Sequence, residues 1–239
     1  MNAMTNLPLH DRRPVSIRPI SARGLIAMSG DRRATHAGAY ANYLYITRQR
    51  GHDARGFLDY RHRDDLTAWG LELSANHPCW AEEPGRIWRE IDAACEDGAV
   101  DAVRAWHIVL TLPDDLPEPE WVPLVRGFVR ETLVRRGPAV AWAIHAQRGV
   151  AGGWMIRPHA HLLMTTRGWK HNARFGQNIS AWRGAAVRSA IHADWIALLP
   201  PVMRQAATTP YRYGGYTPAH PDCSKIAHHF AGARSEVSS

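Results

Sequence analysis

The stretch that most constrains the fold runs from Val140 to Trp169, VAWAIHAQRGVAGGWMIRPHAHLLMTTRGW. Its first part alternates: Val140, Trp142 and Ile144 point one way, Ala141, Ala143 and His145 the other. That is the two-residue period of a strand, not the period of a helix. The run from His159 to Thr166 repeats it, with His159, His161, Leu163 and Thr165 on one face and Ala160, Leu162 and Met164 on the opposite one. A glycine-containing loop separates the two runs. Histidines at i and i+2 of a strand project side by side. If the two strands pair as neighbours, His145 joins His159 and His161 as a third imidazole. Three neutral imidazoles suit a divalent metal and leave coordination positions open for substrate oxygens. On ligand chemistry alone, iron and zinc remain as acceptable as harder ions.

The rest of the chain supplies helices and strands to surround this pair. Residues 15–20 are expected to form a first strand, shortened by Pro14 and Pro19. His36–Arg50, HAGAYANYLYITRQR, reads as a helix with Ala37, Tyr40, Ala41 and Leu44 on one face. Tyr45 then falls at the edge of that face, near Arg48 and Gln49. The Gly30-Asp31 pair is expected to turn and to cap that helix. Gly56–Leu73 reads as a hairpin carrying Trp69, and Glu82–Glu96 as an amphipathic helix built on Ile87, Trp88 and Ile91. Arg104–Leu112 alternates as a strand, ended by Pro113. Pro119–Arg136 carries an apolar stripe of Trp121, Leu124, Val125, Phe128, Val129 and Leu133, and Gly137-Pro138 stops it. Arg183–Leu199 is expected to be a last helix, closed by Pro200-Pro201.

Composition narrows the partners. Residues 1–55 hold nine Arg against three Asp, a net of +6. Residues 56–120 hold five basic and fifteen acidic side chains, −10, and residues 121–239 fifteen basic and four acidic, +11. The tyrosine-rich helix and the histidine strands thus lie in the two basic blocks, as a cleft for a polyanion requires. The acidic block is expected to face away from such a partner. Cys79, Cys95 and Cys223 are odd in number and show no CxxC spacing, so reduced thiols and a cytoplasmic location are expected. No apolar run is long enough for a membrane segment.

The segments AIH and PHAHLLMTTR, preceded by WHIVLTLPDDLP and an amphipathic helix, resemble the metal-binding core of the MobA/MobL plasmid relaxases. These are HUH nucleases, named for a His-hydrophobic-His run that is His159-Ala160-His161 here. The resemblance is good over residues 104–167 and weaker over 20–60. It implies an α+β fold, an antiparallel-rich central sheet with packed helices, HUH endonuclease-like. It also implies that His145, His159 and His161 hold Mg2+ or Mn2+. YITRQRG is similar to the family's nucleophile segment, which implies Tyr45 as the attacking group, with Tyr43 and Tyr40 as rivals in register. The expected activity is metal-dependent nicking of one DNA strand at a transfer origin through a 5′-phosphotyrosyl intermediate. A rolling-circle replication initiator and a catalytically weak DNA-binding module on the same scaffold are the alternatives.

Single-stranded or unpaired DNA is the expected substrate, with accessory mobilisation proteins as further partners. Arg48, Arg50, Arg157, Arg167 and Lys170 are the expected phosphate contacts. A tyrosine hydroxyl has a pKa of about 10 in water, so Arg48, Arg50 or the cation is expected to favour the phenolate. The family often places acidic residues in the strand before LP, at positions that are His107 and Val109 here. His107 is therefore expected beside the metal ligands, as a neutral substitute for a carboxylate. The expected organisation is a disordered N-terminus (1–14), one nuclease domain (15–199) and an irregular C-terminal extension (200–239).

Overall fold

The structure, a computed structural model, describes residues 14–21, 38–53, 56–95, 103–168, 177–179, 182 and 185–199. The expectations for residues 1–13, the Gly30-Asp31 turn, Lys170 and the 200–239 extension fall outside these residues.

The central sheet is built from β1 (Val15–Ile20), β4 (Leu66–Glu72), β5 (Ala105–Thr111), β6 (Pro138–Arg148) and β7 (Trp154–Gly168). Its strand order is β1-β5-β7-β6-β4, with β8 (Gln177–Asn178) paired to the end of β7. Every pairing is antiparallel. β2 (Arg50–Asp53) and β3 (Gly56–Asp59) form a separate hairpin. Among the described residues, four α-helices accompany them: α1 (Ala39–Ile46), α2 (Arg86–Ala93), α3 (Glu118–Phe128) and α4 (Ala185–Leu198). The fold is thus α+β with an antiparallel sheet, as the family resemblance implied.

The alternation of the strands divides the core in two. Trp106, Ile108, Leu110, Val140, Trp142, Ile144, Leu162 and Met164 face α3 and α4, where they meet Trp121, Val125, Phe128, Ile191 and Trp195. The opposite face presents smaller residues, Ala105, Ala139, Ala141, Ala143 and Leu163, to α1 and α2. Alanines on β6 give α1 a close approach to the sheet, and that face is the one carrying the histidines. Covering both faces removes most of the strands' apolar surface from water, the dominant favourable term in folding.

Three departures from the sequence expectation bear on the site. The first helix ends at Ile46 and not at Arg50: Thr47 Oγ1 donates to the Tyr43 carbonyl at 2.7 Å, and Arg48 turns the chain at φ 51°. Residues 36 and 37 of the expected helix lie outside the described residues. Second, Gly56–Leu73 is not one hairpin. β3 pairs with β2, whereas β4 joins the edge of the main sheet beside β6. Gly70 permits this, because a Cβ there would stand 2.6 Å from Cζ2 of Trp142. Third, α3 passes through a π-helical turn, Val129–Leu133, and a short 3-10 turn before stopping at Gly137, φ 110°.

Two buried carboxylates fix the helices. Glu72 on β4 accepts from Arg126 Nε at 2.7 Å and Arg130 Nε at 2.6 Å, tying the sheet edge to α3. Burial alone would raise this carboxyl, but the hydrogen bonds from Arg130 and Arg126 outweigh it and hold the group below its ordinary range. Asp92 on α2 accepts the backbone N–H groups of Ala39 and Tyr40 at 3.0 and 2.9 Å. It thereby caps the first turn of α1, whose own flanking residues provide no side-chain cap.

Candidate metal and nucleophile site

Strand register assembles the histidines. His145 on β6 stands directly opposite His159 on β7, and His161 stands opposite Ala143 on one side and Val109 on the other. All three project from the face covered by α1. His145 and His161 are buried and His159 is half-buried. One ring nitrogen from each lies within 4.8 Å of the others. Among the described residues, this is the group of histidine, cysteine and acidic side chains able to hold a metal ion.

Hydrogen bonds decide where the ring protons sit. His159 Nδ1 lies 2.8 Å from the Arg157 carbonyl, which can only accept, so Nδ1 carries the proton and Nε2 a lone pair. That Nε2 faces His161 Nε2 at 3.1 Å. His161 Nδ1 in turn lies 2.8 Å from His107 Nε2. Without a cation the chain runs in one direction: His107 donates to His161, His161 to His159, and His159 to the carbonyl. If His161 donates to His107 instead, two Nε2 lone pairs converge at 3.1 Å, a spacing that fits adjacent ligands of one metal ion. The donor set therefore fits a divalent cation, and His107 lies against the outer nitrogen of His161.

The third histidine is held differently. His145 Nδ1 faces Arg48 at 2.8 Å, and its Nε2 lies 2.7 Å from the carbonyl of Ile46, next to Tyr45 in the chain. Arg48 was expected to reach DNA phosphates. It is buried instead, at 7% exposure, because its guanidinium donates to Asp65 through Nε at 2.8 Å and Nη2 at 2.7 Å, and to the Tyr45 carbonyl through Nη1 at 2.7 Å. Burial alone would raise the Asp65 carboxyl. Its neighbours His145 and Arg48, the latter through two donated hydrogen bonds, reverse that and hold it well below the usual carboxylate range.

Of the three tyrosines on α1, Tyr45 packs edge-on against His161, with ring centroids 6.2 Å apart. The Arg48 guanidinium lies 4.8 Å from its ring centre, and Arg63 NH1 reaches its hydroxyl at 3.4 Å. Tyr43 instead stacks between Tyr40 and Trp88, and burial pushes its phenol up. Tyr40 lies under the guanidinium of Arg89 at 4.9 Å.

The other expected phosphate contacts are dispersed. Arg50 is exposed at the start of β2, across from Asp59. Arg157 is half-buried and pairs with Asp114 at 3.0 Å. Arg167 lies six residues beyond His161 on the same strand, about 20 Å along it. Nothing in RHRDDL marks Asp65 as a neighbour of His145 or Arg63 as a neighbour of the Tyr45 hydroxyl. Asp65 also corrects the expectation that the acidic block turns wholly away from the site: it stands 3.5 Å from His145.

Comparison with known proteins follows the same lines. The MobA/MobL family model matches residues 32–194. A probable mobilization protein MobA from Bifidobacterium longum is 30% identical over 144 residues, covering 59% of this chain and 24% of that protein. A conjugal transfer protein TraA from Agrobacterium fabrum is 26% identical over 120 residues, covering 46% of this chain and 10% of that protein. The chain thus corresponds to a quarter or less of the length of these relatives. A solved structure described as "Molecular Basis of Vancomycin Resistance Transfer in Staphylococcus aureus" superposes with a TM-score of 0.59 at 18% identity, covering 83% of this chain and 95% of that one. At that identity the likeness speaks for the fold. With the family model spanning more than half of its residues, the chain belongs to the MobA/MobL family.

Proposed function

We propose that the chain is the nuclease part of a plasmid-mobilisation relaxase, a site- and strand-specific endonuclease acting in the cytoplasm on unpaired DNA at a transfer origin. The observation that carries this reading is the position of Tyr45, edge-on to His161 and beside the 3.1 Å pair of imidazole nitrogens. A divalent ion, Mg2+ or Mn2+, held by His145, His159 and His161 would supply positive charge to the non-bridging oxygens of the scissile phosphate.

The chain's own residues do the rest. Tyr45 Oη gives up its proton and attacks phosphorus, an O–P bond forms to the 5′ phosphate, and the bond to the 3′ oxygen breaks; that oxygen takes up one proton and leaves as a free 3′ hydroxyl. One phosphodiester replaces another, so the bond is conserved for later resealing. Arg63, within reach of the Tyr45 hydroxyl, places positive charge where the attacking oxygen and the phosphate come together. The buried, protein-bound Arg48 acts on the shape of the site and not on phosphate. In this reading exposed Arg50 and half-buried Arg157 and Arg167 meet the DNA backbone, and Lys170 is a further contact proposed from sequence alone. Accessory mobilisation proteins would supply further recognition of the origin.

The test is a nicking assay on supercoiled DNA carrying candidate origins, in EDTA and after return of Mn2+ or Mg2+. The reading expects metal-dependent nicks and a protein–DNA adduct that survives detergent. DNA binding with no adduct at any metal concentration would leave a binding module in place of the enzyme.

A further inference from the structure

Arg48, Asp65 and His145 form a buried network that the proposed chemistry does not use directly. Each is at most 7% exposed. Arg48 leaves α1 in a left-handed conformation, φ 51°, one that few residues other than glycine adopt without support. That support is its two-point contact with Asp65. The backbone repeats the tie, because the Asp65 carbonyl accepts the N–H of Ala146, the neighbour of His145. One network therefore holds together the end of the tyrosine helix, the segment that leads into β4 and the histidine of β6.

The proton positions follow from what each group can do. A guanidinium has donors and no acceptor. Its Nη2, 2.8 Å from His145 Nδ1, can only donate there, so Nδ1 holds a lone pair. The proton of the neutral ring then sits on Nε2, where it donates to the Ile46 carbonyl at 2.7 Å. That carbonyl lies in the last turn of α1, whose terminal C=O groups have no intrahelical partner and carry the negative end of the helix dipole. In this form His145 offers a cation nothing at Nε2. For Nε2 to become a ligand, its proton must appear on Nδ1. Asp65 Oδ2, 3.5 Å away, is then the acceptor in place, since Arg48 has none to give.

We propose that Asp65 is the positioning residue that lets His145 change tautomer, so that a cation at the histidines replaces the Nε2–H···Ile46 hydrogen bond and couples site occupancy to the last turn of α1. This rests on the proposed metal role of the three histidines. The ring stays neutral throughout: Nε2 loses one proton, Nδ1 gains one, and Asp65 remains a carboxylate accepting from both Arg48 and Nδ1. Tyr45 precedes Ile46 directly, so the change reaches the nucleophile's own turn.

The experiment is nitrogen-15 NMR of the histidine side chains in the full chain, without metal and with Zn2+ as a diamagnetic probe. Expected are a protonated Nε2 on His145 without metal, and a protonated Nδ1 with zinc on Nε2. In calorimetry, Asp65→Asn, checked for folding by circular dichroism, should weaken Mn2+ and Zn2+ binding by about 10- to 100-fold. Asp64→Asn should not, because Asp64 bonds to Gln147 and not to the histidines. If Asp65→Asn does not fold, the wild-type spectra decide alone. Zinc shifts at His159 and His161 with Nε2–H retained on His145 would overturn this inference and leave a metal site standing. Zinc shifts at none of the three histidines would overturn the metal reading as well.

Discussion

His107 offers the sharpest perturbation, because one hydrogen bond there has two possible directions. His107 Nε2 lies 2.8 Å from Nδ1 of His161, a ring only 2% exposed. Without metal, His107 donates; with a cation on His161 Nε2, His161 must donate back. A histidine serves both directions, whereas a glutamate can only accept. His107→Glu therefore forces the proton onto His161 Nδ1 and sets the lone pairs of His161 and His159 against each other at 3.1 Å. That disfavours the metal-free state and favours the loaded one. Exchanging an outer partner of this kind changes metal affinity by about 10- to 100-fold, or about 1.4–2.8 kcal/mol at 1.4 kcal/mol per decade. His107→Ala removes the bond in both states. Only the difference between them reaches the dissociation constant, which should weaken by a factor of about 5–10, close to 1 kcal/mol. His107→Gln, which can donate and accept, should stay near the parent. The assay is Mn2+ titration calorimetry on the four proteins at one pH. If the glutamate variant binds no tighter and the alanine variant no weaker than the parent, His107 has no part in the site.

Tyr45→Phe should abolish the covalent adduct with little change in fold. The hydrogen bond it loses, from Arg63 at 3.4 Å, is long, so the melting temperature should fall by no more than about 2 °C. Arg50→Ala should flatten the salt dependence of single-strand binding by about 0.7 log units per lost phosphate contact, whereas Arg48→Ala should instead lower thermal stability. Glu72→Gln removes charge from two arginine contacts whose partners are 42% and 57% exposed, so a loss of about 1 kcal/mol is expected in denaturant titration. The Glu72 carboxyl is held below its ordinary range in the fold. Its contribution is therefore present above the unfolded-state value of about 4.3 and is lost as pH falls below it. The parent should thus lose its advantage over Glu72→Gln between neutral pH and pH 3. Gly70→Ala should cost about 1–3 kcal/mol, because the new methyl meets the ring of Trp142 on the histidine strand.

What the sequence made legible was what short-range period controls. The faces of β6 and β7 follow from alternation alone, and the placing of His145, His159 and His161 on one face follows once the two strands pair. His107 was also readable, since its parity on β5 matches that of the histidines once the strands are neighbours. The role of Arg48 was not. Beside a tyrosine and near another arginine it looks like a phosphate contact, and only the left-handed turn that swings it inward to Asp65 shows otherwise. β4 was hidden for a similar reason: its glycine reads as a break, yet a ring from the next strand fills that space. Block charge misled at Asp65, because a net count describes a surface and this carboxylate is buried with its partner.

The most direct test of the central claim is to locate the covalent bond. The adduct formed on an unpaired oligonucleotide in Mn2+ would be digested with trypsin and its nucleotide-bearing peptide sequenced by mass spectrometry. Tyr40, Tyr43 and Tyr45 all lie on one tryptic peptide, residues 34–48, so fragmentation compares them within a single molecule. A phosphonucleotide is expected on Tyr45, the tyrosine whose ring meets His161. A modification on Tyr43 or Tyr40, or on no tyrosine of this peptide, would contradict it.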